Sequence, residues 1–539
     1  MPTAENRPRV LGVGLFAATV RNSNSGRTVR RSTFPRPSET VVRNNRAEVS
    51  CFTSRLSRLS TESPLIDSAK NVSRMTGPRS APGRTFPWVD DAVPRYDSFL
   101  TVNEHRERDR ALAAENDHVE YEELGESRDG ETLWAVTVGD GDRSALLFGA
   151  PHPNEPIGSM TIDFLVHELA TNDELRSSLD YTFVCVPVSD PDGVRLNEGW
   201  FDGPFTLSNY AQNFFRPPPD EQIEATFPIE RENYSFDSPT PATRALADLI
   251  DTHHPEFVYS FHNTAFGGCY YYVTEPLEPL YDTLSSLPGE YGVPLDMGEP
   301  EWFDLESFDD AVYPLQTFDD QYDAARNDED VALEEALFGG TAYDYASRGD
   351  DDVVEFVVEL PYFFDPQIQD RTELDRTRED VIREGIQSRQ PLLDAMQSAV
   401  ESAGEYLPDT PMAREAAGVA SYFEDEYESK LEWAESVAET DAPATIAQRV
   451  DERFLEQYHL LTYTGMLLRS IDRAAMSADE DAHERLRDAK AALEGVFQER
   501  LGEIRDQLDY EAIPIWKLVA IQARAGLVCL DYLQNRADE

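Results

Sequence analysis

The sequence predicts an α/β region followed by an α-helical bundle, and two patterns indicate this. Between about residues 86 and 366, short apolar runs typical of buried strands alternate with amphipathic segments typical of helices. Beyond Asp370 the strand-like runs end, and apolar residues recur every three or four positions. Ligand sites of open α/β sheets gather at strand ends, so we expect any chemistry there.

Each element of the first region follows from run length and composition. Apolar runs predict strands at residues 133–138, 145–148, 181–188, 257–261, 269–274 and 355–360. Helical periodicity predicts helices at residues 157–169 and 242–251. Residues 299–335 are acidic and aperiodic, so we expect a long loop or insertion there.

The second region predicts four or five amphipathic helices. The helical pattern occurs at residues 381–400, 422–431, 454–461 and 486–504, and prolines separate these segments. We expect these helices to form a bundle packed on, or beside, the α/β unit. The predicted domains are therefore residues 76–370, a catalytic domain, and residues 371–539, an α-helical domain.

Residues 1–75 differ in charge from the rest. The first 74 contain 13 basic and 5 acidic residues, whereas the whole chain has 47 Lys and Arg against 103 Asp and Glu. This segment has no sustained periodicity. We expect a disordered basic extension, and Met75 as the natural start of the protein.

The net charge of −56 argues against a nucleic-acid or anionic-membrane binder, because phosphates would be repelled. Only four residues are lysine, namely Lys70, Lys430, Lys490 and Lys517. Together with the acidic composition, this scarcity of lysine predicts adaptation to high salt.

The four cysteines include no C-x-x-C pair, which argues against a thiolate zinc site and a disulfide framework and favours a cytoplasmic location. No apolar run is long enough to span a membrane.

The sequence His152-Pro-Asn-Glu155 lies where a predicted strand turns into a helix. Imidazole and carboxylate at this spacing can occupy two positions around one zinc ion. The sequence His253-His254-Pro-Glu256 has the same spacing, but it follows a predicted helix end, where imidazoles interact with the helix dipole. We therefore favour His152 and Glu155, with His262 at the end of an apolar strand as the third ligand.

Glu359 lies in the apolar run 355–360. An unpaired carboxylate inside such a strand is costly, unless it faces a metal-bound water. Burial would raise its pKa toward the range of a general base. A strand-end glutamate facing solvent is the alternative.

Together these segments resemble the zinc metallocarboxypeptidase family. Five segments agree in order: His152-x-x-Glu155, Pro187-Val-Ser-Asp190-Pro-Asp-Gly193, Ser260-Phe-His262, Gly339-Gly340-Thr341 and Val358-Glu359-Leu360. The resemblance implies a three-layer α/β/α fold with a mixed, eight-stranded sheet. It also implies one zinc ion held by His152, Glu155 and His262, with Glu359 as general base.

The resemblance also suggests substrate-binding residues, with two departures from the family pattern. Arg216 is the candidate for a cation beside the metal, with a catalytic or substrate-binding role, and Asn213 lies where the family has its Asn-Arg pair. The family's mobile tyrosine is replaced by Glu335, so Tyr343 or Tyr345 is expected to substitute. These departures weaken a carboxypeptidase activity more than a zinc-dependent amide hydrolase activity.

The predicted function is zinc-dependent hydrolysis of a peptide or amide bond. One alternative keeps the metal and cleaves N-acyl amino acids, as in relatives similar to succinylglutamate desuccinylase and aspartoacylase, whose usual His-Gly-Asn-Glu motif is close to His152-Pro-Asn-Glu155. Another is a non-catalytic binding protein on the same fold. The expected partner is a peptide or N-acyl amino acid, with self-association or a helical partner also open.

Overall fold

The computed structural model describes residues 84–301, 305–326, 332–349 and 352–536. The predicted basic extension, residues 1–75, lies outside these residues. The strands are β1 (Val119–Glu126), β2 (Thr132–Val138), β3 (Arg143–Gly149), β4 (Tyr181–Val186), β5 (Ile229–Arg231), β6 (Tyr234–Phe236), β7 (Phe257–His262), β8 (Tyr270–Val273), β9 (Val312–Pro314), β10 (Val354–Glu359), β11 (Phe363–Phe364), β12 (Glu373–Thr377), β13 (Pro443–Thr445) and β14 (Glu511–Ala512).

Helices connect and cover these strands. They are α1 (Val89–Ala92), α2 (Val102–Glu115), α3 (Pro156–Thr171), α4 (Asp173–Ser178), α5 (Pro191–Asn197), α6 (Leu207–Asn213), α7 (Pro241–His253), α8 (Tyr281–Glu290), α9 (Phe318–Arg326), α10 (Leu333–Ala336), α11 (Ala342–Ala346), α12 (Arg378–Ala403), α13 (Pro411–Ser436), α14 (Ile446–Val450), α15 (Glu456–Ala475), α16 (Glu480–Gln507) and α17 (Ile515–Arg536). A π-helical turn, Asp451–Leu455, joins α14 to α15. No helix among the described residues is both long and apolar enough to cross a membrane.

The main sheet has eight strands in the order β1-β2-β4-β3-β7-β10-β8-β9. The four central strands β4, β3, β7 and β10 pair in parallel, whereas β1, β2 and β8 join through antiparallel pairings. The central strands are buried on both faces, which explains their continuous apolar runs. The predicted α/β fold with a mixed, eight-stranded sheet is confirmed.

Helices cover both faces of the sheet. On one face α3 packs against β3 and β7, and α17 packs beside α3. A Cβ at Gly158 would overlap the Phe261 side chain, so glycine permits the close contact between α3 and β7. On the other face, α7 and α11 pack over Leu146, Phe148 and Val258. The sheet is therefore the middle of three layers.

The long helices α12, α13, α15 and α16 pack against one another, as the apolar periodicity predicts. Their amphipathic faces bury leucine, phenylalanine and alanine, and a fully buried ionic group lies among them. There Lys430 Nζ lies 2.5 Å from Glu452 Oε1, and Arg389 Nη1 lies 3.3 Å from Glu452 Oε2. The last helix, α17, instead packs on the sheet, where Tyr259 donates a hydrogen bond to the Gln522 carbonyl oxygen at 2.9 Å.

The acidic segment 299–335 is not the uninterrupted loop that its composition suggests. Among its described residues, β9 extends the edge of the main sheet, and α9 and α10 follow. Phe318, Tyr322 and Ala325 of α9 are buried together. Their i, i+4, i+7 spacing is helical, and the many aspartates between them obscured it.

Candidate metal centre

The first two ligands predicted from the sequence lie in the turn between β3 and α3. The backbone N–H of Glu155 donates to the His152 carbonyl oxygen at 3.0 Å, and Pro156 begins the helix. Ala150 adopts a left-handed backbone conformation with φ of 50°, which reverses the chain after the strand. Both side chains are 2% exposed. The turn thus places imidazole and carboxylate at the carboxyl end of a central strand.

His262 ends β7, the neighbouring parallel strand, and is buried. Its Nδ1 lies 3.2 Å from His152 Nδ1 and 3.0 Å from Glu155 Oε2. His152 Nδ1 lies 3.1 Å from Glu155 Oε1. The structure therefore brings together the three predicted ligands, and this is the one His/Cys/Asp/Glu group within the described ranges whose geometry could hold a metal ion.

The donor set fits zinc. Nε2 of His262 lies 2.8 Å from Glu224 Oε2 and 2.7 Å from Ser260 Oγ. An imidazole that donates Nε2–H to a carboxylate presents its lone pair at Nδ1, toward the other two ligands. Ligand atoms held tetrahedrally at about 2.0–2.2 Å from zinc lie roughly 3.3–3.6 Å apart, close to the separations found here.

The electrostatics of the three ligands also suit a cation. Burial and nearby Arg216 lower the pKa of His152 to about 4, which keeps its lone pair available. Burial alone would raise the pKa of Glu155, but His152, His262 and Arg216 hold it well below its usual range. Burial lowers the pKa of His262, yet Glu224 and Glu155 reverse this effect and raise it well above its usual range. Glu224 and Glu155 therefore favour a positive charge at the position of His262.

Glu359 lies beside the three ligands. Parallel pairing of β7 and β10 sets Glu359 directly opposite His262, and Glu359 Oε1 lies 3.9 Å from His262 Nδ1. The residue is 5% exposed. Burial raises its pKa well above the usual range, and the Glu155 and Glu301 carboxylates raise it further. A raised pKa makes the ionised carboxylate a stronger proton acceptor.

Arg216 is also at the centre. Its Nη2 donates to Glu155 Oε1 at 2.6 Å, and its side chain is 9% exposed. Burial alone would lower the pKa of Arg216, but Glu155 and the buried Tyr463 outweigh this effect and raise the pKa. Tyr463 lies on α15, so the helical region reaches the metal centre through this arginine.

A comparison with protein families identifies the part of the chain that contains this centre. Residues 108–293 match the family model described as zinc carboxypeptidase. The matched stretch includes His152, Glu155, Arg216 and His262 and ends before Glu359. The resemblance to the zinc carboxypeptidases is confirmed. No curated protein matches the chain.

Solved carboxypeptidase structures are similar at low identity. Carboxypeptidase A from Helicoverpa armigera is 15% identical with a TM-score of 0.34, and the match covers 49% of this chain and 65% of that one. A metallo-carboxypeptidase from Burkholderia cenocepacia is 15% identical with a TM-score of 0.29, covering 62% and 69%. The murein-tripeptide amidase MpaA from Escherichia coli O157 is 15% identical with a TM-score of 0.25, covering 45% and 82%. The chain thus spans slightly less than two thirds of the first of these structures.

The other predicted substrate-binding residues make contacts away from the three ligands. Asn213 ends α6, and its Nδ2 donates to the Asn209 carbonyl oxygen at 2.9 Å. Tyr345 donates its hydroxyl to Asp251 Oδ2 at 3.1 Å, and its ring packs near Phe227. Tyr343 is half-buried beside the α7 layer. Their roles in substrate binding stay predictions.

His253 and His254, whose spacing also suggested ligands, lie at the C-terminus of α7. His254 adopts a left-handed conformation with φ of 46°, and its backbone N–H donates to the Ile250 carbonyl oxygen. Both residues lie at the helix C-terminus as predicted, and the interaction of their imidazoles with the helix dipole stays a prediction.

Sequence reasoning missed the residues that support the ligands. Glu224 holds Nε2 of His262, and Ser260 donates its hydroxyl to Glu224 Oε1 at 2.8 Å. Gln522 of α17 donates to the His262 carbonyl oxygen at 2.8 Å. Glu224 lies in a short 3-10 turn, Ile223–Ala225, with no periodicity, so nothing in the local sequence marks it. Ser260 has the period-two spacing from His262 that puts both on one face of a strand.

One cavity borders this zinc carboxypeptidase-like centre, and a larger one lies near it. The larger, about 110 Å³, is bordered by Tyr270, the register partner of Glu359, and by residues of the helical region. Its acidic and aromatic lining comprises Tyr270, Asp296, Glu299, Glu301, Tyr313, Asp451, Glu456, Tyr458 and His459. The smaller cavity is lined by His262 itself and by residues of β8, β10 and α9.

Proposed function

We propose that this protein is a zinc-dependent hydrolase of the metallocarboxypeptidase type that cleaves a peptide or amide bond. The observation that carries the proposal is the convergence of His152, Glu155 and His262 at separations of 3.0–3.2 Å, with Glu359 opposite His262 on the next strand. His152, Glu155 and His262 would hold one zinc ion. A bound zinc ion would supply Lewis acidity to a water molecule and to the scissile carbonyl.

The chain's own residues perform the proton transfers and the positioning. Glu359 accepts a proton from the attacking water and returns it to the leaving amine. Its buried, acidic surroundings suit this exchange because they raise the carboxyl pKa above its usual range. Arg216 supplies a fixed positive charge beside Glu155, suited to a developing oxyanion or a substrate carboxylate.

Cleavage of N-acyl amino acids is the second candidate function. Two observations favour it: Gln212-Asn213 stands where the family has its Asn-Arg pair, and helix α15 lies over Arg216. The first leaves no arginine of that pair to bind the C-terminal carboxylate of a peptide, and the second engages Arg216 with Tyr463.

The test uses the full chain in molar KCl, with zinc content measured alongside hydrolysis. Release of amino acids from peptides supports the first function, and release of acyl acids from N-acyl amino acids supports the second. Undetectable zinc together with no hydrolysis would favour a binding protein.

Two variants test the assignment of residues. Glu359→Gln should keep zinc and lose at least about 10²–10⁴-fold in kcat, because the general base is gone. His262→Ala should lose zinc. Asp109→Asn, a buried acid that accepts from the Trp134 indole N–H, is the control and should retain activity. Near-normal turnover in Glu359→Gln, or full zinc content in His262→Ala, would contradict the proposal.

A further inference from the structure

The larger of the two cavities lies where the α/β unit meets the helical region. Residues of the α/β unit between positions 264 and 313 form one wall, and the π-helical turn with the start of α15 forms the other. Its volume of about 110 Å³ accommodates several water molecules or a small organic group. Tyr270 of its lining pairs with Glu359 across β8 and β10, so the cavity lies near the metal centre.

Two pairs of aromatic rings line this cavity. The rings of Tyr270 and Tyr313 meet edge to face with their centroids 6.4 Å apart, and those of Phe266 and Tyr458 do so at 5.8 Å. Aromatic faces attract organic cations through the ring quadrupole, and they also pack against hydrocarbon. These walls therefore suit a cation that carries a short hydrocarbon part.

Three acids that line the cavity lack a cationic partner. Within the described ranges, Asp296, Glu301 and Asp451 form no ion pair with a lysine or arginine, and neither residue type lines the cavity. The other two lining acids are compensated from outside it. Glu299 pairs with an arginine of α12, and Glu456 lies 3.8 Å from the ammonium group of a lysine of α13.

Neutral donors hold the three carboxylates in place. Asp296 accepts hydrogen bonds from two glycine N–H groups at 2.8 and 3.0 Å. Asp451 accepts from one backbone N–H at 2.7 Å, and Glu301 accepts from the Tyr272 hydroxyl at 2.8 Å. Burial nevertheless raises the pKa of Asp296 to about 6, and it raises that of Asp451 well above its usual range. Carboxylates confined without a counter-ion are costly, and a cation in the cavity reduces that cost.

A bare metal ion does not match this arrangement, since among the described residues no three of these acids lie close enough to ligate one ion. We propose instead that the cavity binds a small organic ammonium ion. Its charged end meets Asp296, Glu301 and Asp451, and its hydrocarbon part packs against the aromatic walls. Two sources share this chemistry: the unblocked N-terminus of a peptide bound at the metal centre, and a free amine that binds beside it.

Calorimetric titration of the full chain with three probes tests the inference, at pH 8 in molar KCl. The probes are n-butylammonium chloride, 1-butanol, which lacks the charge, and ammonium chloride, which lacks the hydrocarbon. Butylammonium should bind at least about 10-fold more tightly than either of the others, because only it meets both the carboxylates and the rings. Equal affinity for butylammonium and either control, or no detectable binding of butylammonium, would overturn the inference.

Two variants remove a charge from the cavity and keep a hydrogen-bond acceptor, namely Asp451→Asn and Glu301→Gln. Each should weaken butylammonium binding by about 3–10-fold and leave 1-butanol binding unchanged. Glu355→Gln is the matched control: it replaces a buried acid that lines the smaller cavity, and it should change the affinity by less than about two-fold. Equal losses in all three variants, or no loss in the first two, would contradict the assignment.

Hydrolysis of trialanine and N-acetyl-trialanine distinguishes the two sources of the amine. If the N-terminus of the substrate occupies the cavity, trialanine should have the higher kcat/KM, Asp451→Asn should reduce that preference, and butylammonium should compete with the peptide. If the ligand is a free amine, the two peptides should be cleaved equally and butylammonium should not compete. The binding measurements need no turnover, so a protein that binds butylammonium as expected and hydrolyses nothing would support the cavity assignment while contradicting the proposed function.

Discussion

Replacement of Glu224 tests the metal centre without relying on catalysis. Glu224 contacts His262 through an ion pair in which Oε2 lies 2.8 Å from Nε2. If His262 coordinates zinc through Nδ1, this bond fixes the ring and increases its basicity. We therefore expect Glu224→Gln to weaken zinc binding, and Glu224→Ala to weaken it further.

The magnitude follows from the chemistry of the bond. Glu224 is 5% exposed, so water screens the pair little. A hydrogen bond between charged partners contributes about 1.5–3 kcal/mol, which corresponds to roughly 10–150-fold in the zinc dissociation constant. Glu224→Gln keeps a neutral acceptor and should lose about 10-fold, whereas Glu224→Ala should approach or exceed 100-fold.

Zinc affinity is measured by competition with a chelator, in molar KCl. Ser260→Ala is the control, because it removes the hydroxyl that contacts the same pair and leaves the carboxylate in place. It should cost less than about 1 kcal/mol, or under 10-fold. If Glu224→Ala binds zinc as tightly as the wild-type protein, His262 is not a zinc ligand through Nδ1, and the proposed ligand set is wrong.

Two further predictions concern stability. A Cβ at Gly465 of α15 would overlap the backbone of α6, so Gly465→Ala should lower the free energy of unfolding by about 1–3 kcal/mol. Gly495 is exposed on α16 and has no atom nearby. In the same denaturant titration, Gly495→Ala should therefore raise the free energy of unfolding by about 0.5–1 kcal/mol. Equal effects would show that α15 does not pack on α6. Burial raises the pKa of Asp109 to about 7. The folded state therefore holds a proton that the unfolded state releases above about pH 4. As a result, the free energy of unfolding falls as pH rises from 4 to 7. Asp109→Asn should therefore be more stable than the wild-type protein at pH 8, by up to about 4 kcal/mol, with little difference at pH 4; denaturation at both pH values checks this, and a pH-independent difference would contradict it.

The sequence predicts the central strands well because they are buried on both faces. A continuous apolar run such as Phe257–His262 has few other structural interpretations at that length. The edge strand β1 was not predicted, since half of its eight residues are exposed glutamates. Likewise α9 was not predicted, because its three buried residues are separated by acids. Sequence patterns report burial, and elements with little burial give a weak signal.

The convergence of the ligands was predictable for a similar reason. His152 and His262 each follow a strand that the sequence marks clearly, and parallel neighbours end at the same edge of a sheet. Glu359 was predictable because a carboxylate in an apolar strand needs a partner. Glu224 was not, because it reaches His262 from an aperiodic turn, and only the folded chain sets that distance.

The placement of the helical region could not be predicted, although its helices could. Periodicity reveals which face of α15 is buried, but not whether that face meets another helix or the α/β unit. In the structure, α15 does both: it packs against α16, and Tyr463 and His459 face the charge of Arg216. Glu415 of α13 is also buried, and burial raises its pKa to about 8. The positive charge of Arg216 partly opposes this rise. Because these polar groups surround an arginine that contacts a predicted ligand, we infer that the helical region helps to hold the metal centre together. An active enzyme would then require both regions, and the bundle could not be removed without disturbing Arg216.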